Sequence, residues 1–270
     1  MDISTYKGKI IDTHAHVYPD KIALKAVQSI SDFYSIPMVG GNGSLSELIQ
    51  NGERHGVGRF VIHSLATTPR QVRSINNFIL TCAASDERLI PFATLHPDMS
   101  RDEMDEELER VIPLGMKGLK LHPDFQRFKA DSDVAMVMYE AVDARLPILF
   151  HAGDSRYDYS GPRRMANVAR AFPDQQIIAA HLGGFSEWDK VGEYEGLRNV
   201  WYDTCSALPF LETERAYEIM RTLGMDRIMF ATDYPMWNYT EELMRFAKLP
   251  LTEEERENIL YKNAERLIGL

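Results

Sequence analysis

Cysteine is nearly absent from this 270-residue chain, which holds only Cys82 and Cys205 and no Cys-x-x-Cys. That excludes a disulfide-stapled scaffold and a thiolate-type structural zinc site, and it predicts two reduced thiols in a cytoplasmic protein. Positive charge is also in short supply. A net charge of −10 argues against a nucleic-acid or anionic-membrane partner, since either needs a broad basic surface. A small anionic substrate is not excluded, because its binding depends on a few local Arg and Lys residues. No stretch approaches the ~20 apolar residues of a membrane span. The first eight residues lack the apolar centre of a secretory leader. No Gly/Ser linker or low-complexity tract divides the chain, and no GxGxxG or GxxxxGK[ST] follows an early strand. The last absence weakens any nucleotide-binding reading.

What is present is ordinary globular material, 44% hydrophobic and 26% charged, read as a single domain over residues 1–270. Eight short apolar runs read as strands at 10–16, 59–65, 88–95, 116–122, 146–151, 175–181, 197–203 and 227–232. Helical patterns follow at 21–33, from Ser44, and at 69–84, 101–112, 131–144, 162–171, 187–191 and 211–223, then from 240 and from 252. Ser44 stands at capping-box distance from Glu47. Alternating β and α elements imply a parallel sheet, and eight such units in this length predict an α/β fold of the (β/α)8 TIM-barrel type. An open doubly wound sheet is the alternative. Residues 36–43, irregular and glycine-containing, read either as a rim or lid of a site or as a plain connecting loop.

The first strand ends in Asp12-Thr-His-Ala-His16. A strand repeats every two residues, so His14 and His16 share a face with Asp12 deeper on it. Further polar residues stand at later strand ends: Lys120, His151, His181 and Asp233. Barrel active sites lie at the C-terminal ends of the strands. Alternation places Leu119 and Leu121 against the helices and turns Lys120 inward. It pairs His151 with Leu149, His181 with Ala179 and Ile177, and Asp233 with Ala231 and Met229. Neutral imidazoles with a carboxylate suit zinc, manganese or ferrous iron. A divalent ion can acidify a bound water to a pKa of about 7, and Asp233 is placed to take that proton. Asp12 reads as a fixer of an imidazole tautomer or as a turn aspartate. The loop 153–164 offers Arg156 and Arg163 for a carboxylate and Tyr157 or Tyr159 for a ring, or is a solvated polar loop. Trp237 walls a pocket or packs in the core. His63 and His96 read as structural, and His122 as a rim residue.

The stretches Ile-Asp-Thr-His-Ala-His, Gly-Leu-Lys-Leu-His-Pro, Phe-His-Ala-Gly, Ala-Ala-His-Leu-Gly-Gly and Phe-Ala-Thr-Asp-Tyr-Pro resemble the amidohydrolase superfamily of metal-dependent barrels. They are closest to the branch containing aminocarboxymuconate-semialdehyde decarboxylase and related decarboxylases, lactone hydrolases and hydratases. The resemblance implies that His14, His16, His151 and Asp233 bind one divalent ion, zinc first and manganese or iron as alternatives, with His181 a polar catalytic group beside it. In binuclear relatives a carboxylated lysine bridges two ions. Lys120 holds that position, and one ion is favoured here, with Lys120 then binding an anionic group. The resemblance also implies a small-molecule substrate and a homodimer. The function it implies first is hydrolysis of an ester, lactone or amide in a small carboxylated molecule by metal-activated water; the alternative is non-oxidative decarboxylation of an aromatic or muconate-like acid and, more remotely, ligand binding without catalysis.

Overall fold

The computed structural model describes residues 3–270. Eight parallel strands follow one another in chain order around a single sheet. They are β1 (Ile10–His16), β2 (Val57–His63), β3 (Leu89–Ala93), β4 (Gly118–Leu121), β5 (Ile148–Phe150), β6 (Ile177–Ala179), β7 (Val200–Asp203) and β8 (Ile228–Met229). The helices are α1 (Asp20–Tyr34), α2 (Leu45–Arg54), α3 (Val72–Ser85), α4 (Arg101–Val111), the single turn α5 (Pro123–Gln126), α6 (Asp133–Val142), α7 (Pro162–Ala171), α8 (Thr213–Leu223), α9 (Tyr239–Lys248), α10 (Glu253–Glu257) and α11 (Asn263–Ile268). The chain leaving β8 returns to β1: Thr13 N–H donates to the Phe230 carbonyl at 3.0 Å and His16 N–H to the Tyr234 carbonyl at 2.7 Å. First and last strands therefore meet, and the fold is the (β/α)8 barrel rather than an open sheet. Among the described residues no helix is long and apolar enough to cross a membrane.

Two apolar layers hold the barrel. Ile10, Phe60, Ile62, Leu119, Leu121, Ile148, Phe150 and Ile177 face outward into the layer shared with the helices. Ile11, Val61, Ile90, Phe92, Leu149, Ile178 and Met229 face inward and fill the barrel's lower interior. The two sets alternate along each strand, as a pleated backbone requires. Leu119 and Leu121 lie on the helix side, as alternation predicts.

Helix starts follow their capping chemistry. Ser100 and Glu103 close a full capping box on α4, with Ser100 Oγ accepting from Glu103 N–H at 3.3 Å and the Glu103 carboxylate accepting from Ser100 N–H at 2.7 Å. Ser44 caps α2 through Glu47 N–H at 3.3 Å, but the Glu47 carboxylate takes Asn42 N–H at 2.6 Å instead. The expected box at α2 is thus half made. Residues 36–43 are pinned to the loop after β8, with Val39 N–H bonding the Met236 carbonyl and Gly40 N–H the Pro235 carbonyl. A Cβ at Gly40 would lie 2.2 Å from the Trp237 carbonyl oxygen, so only glycine allows this approach.

Candidate metal centre

Three donor atoms converge at the mouth of the barrel. His14 Nε2 lies 3.3 Å from His16 Nε2 and 3.5 Å from Asp233 Oδ1, and His16 Nε2 lies 3.3 Å from the same oxygen. Ligands about 2.0–2.1 Å from a tetrahedral zinc ion stand about 3.3–3.4 Å apart, so this triangle has the spacing of one face of such a site. The protonation pattern agrees. Burial, with Lys120 nearby, lowers His14 to a pKa of about 4 and keeps its ring neutral. Asp203, at the end of β7, accepts from His14 Nδ1–H at 2.9 Å, which puts the lone pair on Nε2, the nitrogen that faces the triangle. Burial opposes ionisation of Asp233, yet His14, His16 and His181 hold its carboxyl well below the usual carboxylate range. The residues present fit a divalent cation.

Lys120 is completely buried and points inward from β4, its Nζ 3.0 Å from His14 Nε2. Burial lowers it to a pKa of about 8. His151 lies beyond β5 and lines the same cavity as the triangle. Its Nδ1 is 2.9 Å from His181 Nε2, and its Nε2 faces Asp124 Oδ2 at 3.4 Å.

His181 reaches the mouth by a route that strand alternation does not describe. Ile177 and Ala179 face the helices, so a straight continuation would carry His181 outward with them. Instead the chain turns at His181 (φ 61°) and Leu182 (φ 50°), both in the left-handed region, and the ring swings back over the barrel. Asp203 anchors this turn by accepting His181 N–H at 2.8 Å. Asp233 and Ser206 also have left-handed backbones, with φ 58° and 50°. Such conformations cluster where side chains must be aimed against local preference.

Asp12 does not touch an imidazole. Its carboxylate accepts from Thr232 Oγ1 at 2.5 Å, Tyr239 OH at 2.7 Å and Thr232 N–H at 3.1 Å, which ties β1 to the chain after β8. Asp203 does for His14 what alternation assigned to Asp12. It stands at a strand end like the other site residues, and that position was its signal in the sequence. The buried Cys205 thiol, 3.3 Å from both His14 Nδ1 and His181 Nδ1, donates to Asp203 Oδ1 at 3.1 Å, and carries no sequence motif.

Above these groups lies a cavity of about 230 Å³. His14, His16, Lys120, His122, His151, His181 and Asp233 line its floor and sides, and Ile30, Phe125, Phe185 and Met236 are among its apolar walls. Helix α1 roofs it with Ala26, Ser29, Ile30 and Tyr34, and Met38 adds the rim from the following loop. His122 stacks on His151, with ring centroids 4.1 Å apart and planes 5° from parallel, and its Nε2 is 3.0 Å from Tyr34 OH. Trp237 does not line the cavity. Its Nε1–H donates to Ser206 Oγ at 2.9 Å, and Ser206 donates to Asp233 Oδ2 at 2.7 Å.

Arg156, Arg163 and Tyr157 are not brought to the cavity. Arg156 is held by the Asp154 carboxylate at 2.7 Å and the Phe33 carbonyl at 2.8 Å, and stacks over Phe33 and Tyr34. It clamps the end of α1 from behind. Arg163 is exposed on the first turn of α7. Tyr157 is 40% exposed and stacks 5.8 Å from Phe33. His96 is buried, with Nδ1 accepting Asp98 N–H at 3.2 Å, and stays outside the cavity.

Comparison with solved structures returns barrels of the same architecture. The 5-carboxyvanillate decarboxylase of Sphingomonas paucimobilis superposes with a TM-score of 0.77 at 17% identity, over 97% of this chain and 99% of that one. A dihydroxybenzoic acid decarboxylase from Polaromonas sp. JS666, solved with manganese and the inhibitor 2-nitroresorcinol, gives 0.74 at 18% identity, over 97% of both chains. A Pseudomonas putida protein to which 2-pyrone-4,6-dicarboxylic acid hydrolase activity is attributed gives 0.70 at 16% identity, over 97% of this chain and 98% of that one. No curated protein matches by sequence. The amidohydrolase family model matches residues 11–270, and the chain belongs to that family.

Proposed function

We propose that this protein is a metal-dependent carboxy-lyase that removes carbon dioxide from a small aromatic carboxylic acid. The observation that carries this reading is the character of the cavity. Aromatic and aliphatic walls rise over the donor triangle, and Lys120 is the sole lysine or arginine among its lining residues. Its volume of about 230 Å³ suits one substituted ring, since a cavity of about 150 Å³ takes benzene. The Sphingomonas and Polaromonas neighbours, named for decarboxylation of carboxyvanillate and dihydroxybenzoic acid, lend support.

His14, His16 and Asp233 would hold one divalent ion, zinc by the donor spacing, with manganese the alternative found in the Polaromonas neighbour. His151, at the end of β5 and on the lining of the same cavity, is the remaining candidate ligand. The ion would supply positive charge to the substrate carboxylate and an adjacent oxygen. Lys120 adds a second cation on that face. Loss of carbon dioxide spreads the carboxylate's charge into the ring, and apolar walls penalise the compact carboxylate more than the dispersed charge. The electron pair of the broken C–C bond stays on the ring carbon, which takes a proton that reaches it from water by way of Asp233, ionised at rest. His181 hydrogen-bonds the ring oxygen on which charge grows.

Hydrolysis is the second reading. It is favoured by Asp233, whose Oδ2 is fixed by Ser206 at 2.7 Å while Oδ1 faces the two imidazoles, an arrangement suited to taking a proton from water. The test is product analysis with hydroxybenzoates and lactones in isotopic water. Carbon dioxide release with solvent deuterium at the vacated ring position supports the lyase. Solvent ¹⁸O in the product without carbon dioxide establishes the hydrolase. In either case His14→Ala should lower turnover by about 10³-fold or more, the several kcal/mol that a metal's charge contributes.

A further inference from the structure

Eight buried side-chain atoms among the described residues have no hydrogen-bond partner, and five of them belong to His16, His63, His151 and Asp124 at the barrel mouth. Native interiors leave few such atoms, and each calls for a physical reason. His63 is the extreme case. It is completely buried at the end of β2, and both its ring nitrogens lack a partner. The ring stands edge-on to His16 at 4.4 Å and to His14 at 4.9 Å between centroids. One ring nitrogen from each of His14, His16 and His63 lies within 4.8 Å of the other two. Val61, two residues earlier, faces the barrel interior, so the pleat turns His63 to the same side.

We propose that His63 is a further ligand of the cation that His14, His16 and Asp233 would hold with His151, so that β2 joins β1, β5 and β8 in contributing to the centre. A neutral imidazole with two unused nitrogens in a dry interior costs free energy that a coordinate bond from one of them offsets. The inference rests on the metal-dependent reading above, and it assigns a role to a residue that strand-end position alone left structural.

The experiment is a cobalt(II) titration of chelator-stripped protein, followed by visible absorption, for wild type, His63→Ala, His63→Phe and His14→Ala. Loss of a ligand should weaken cobalt binding about 10-fold or more in both His63 variants and shift the absorption bands. His63→Phe fills the volume of the ring and separates loss of a ligand from loss of packing. Wild-type affinity and an unshifted spectrum in both variants, with binding abolished in His14→Ala, overturn the role of His63 alone. Failure of the wild type to bind cobalt or zinc overturns the metal-dependent reading with it. Should neither variant fold, anomalous density from zinc in wild-type crystals decides: a His63 nitrogen about 2.0–2.1 Å from the ion supports the proposal, and one beyond about 3 Å ends it.

Discussion

Leu149 in β5 and His151 just beyond it project toward the barrel interior two residues apart, as do Val61 and His63 on β2. The lower member of each pair belongs to an apolar layer with Ile11, Ile90, Phe92 and Ile178. The upper member belongs to a layer of buried imidazoles, carboxylates and one lysine. Both layers are buried, and they act on stability in opposite directions. The apolar layer stabilises the fold by removing side chains from water. The polar layer desolvates groups that prefer water, and burial is the largest influence on His14, His63, Lys120 and His151 alike. Side chains in the upper layer are therefore placed for chemistry, at a cost that the lower layer offsets.

The sharpest way to break the contrast is to damage the lower layer alone. Leu149→Ala removes a completely buried side chain and leaves a cavity, which should cost about 2–5 kcal/mol and lower Tm by about 5–15 °C. Cobalt affinity of the folded fraction should stay within about twofold of wild type, because Leu149 belongs to the apolar layer and supplies no donor atom to the triangle. Calorimetry with metal titration on the same sample checks both halves. A large loss of affinity would mean that the two layers move as one unit.

The reverse experiment substitutes the upper layer. Lys120→Met replaces a buried ammonium by an apolar side chain of similar length and should stabilise the metal-free protein by about 1–4 kcal/mol while abolishing turnover. The effect has a defined pH dependence. Lys120 is lowered from its ordinary 10.5 to about 8 in the fold. Below pH 8 it is charged in both folded and unfolded states, and the folded state bears the full penalty. Between pH 8 and 10.5 the folded protein has shed the proton that the unfolded chain still holds, so wild-type stability rises relative to the variant. Melting curves should show the widest gap below pH 8, closing toward pH 10.5. A gap independent of pH would remove the charge of Lys120 from the account.

The same contrast explains what could be read in the chain beforehand. The lower layer is visible because apolar alternation with a period of two is a local pattern, and eight repeats of it in one length admit few architectures. His14, His16, Lys120 and Asp233 were legible because each ends such a run. His181 also ends one, but its side chain faces the centre only through a left-handed turn that no periodicity encodes. Arg156 looked available in sequence, yet Asp154 two residues earlier captures its guanidinium and the end of α1 covers it. Helix α1 read as one more helix. Its role as a roof depends on where the return from β1 crosses the barrel mouth, which is tertiary information.

Asp124 tests the finest point of the comparison, whether the upper layer is organised internally or is merely crowded. It follows His122-Pro123 on the turn after β4 and is buried beside His151, its Oδ2 3.4 Å from His151 Nε2. Burial, with Asp154 nearby, raises it to about 7. No hydrogen bond joins the two in this geometry, yet a carboxyl group facing one nitrogen of an imidazole biases the ring's tautomer and orientation. Asp124→Asn keeps the shape and removes the acceptor charge, so metal affinity should fall about 10-fold, toward the low end of such effects, with Tm nearly unchanged. His151→Ala made in the Asp124→Asn background should then add less than it does alone, because the two substitutions remove one coupled interaction. Full additivity in that double-mutant cycle would show that Asp124 acts on the centre by some path other than His151.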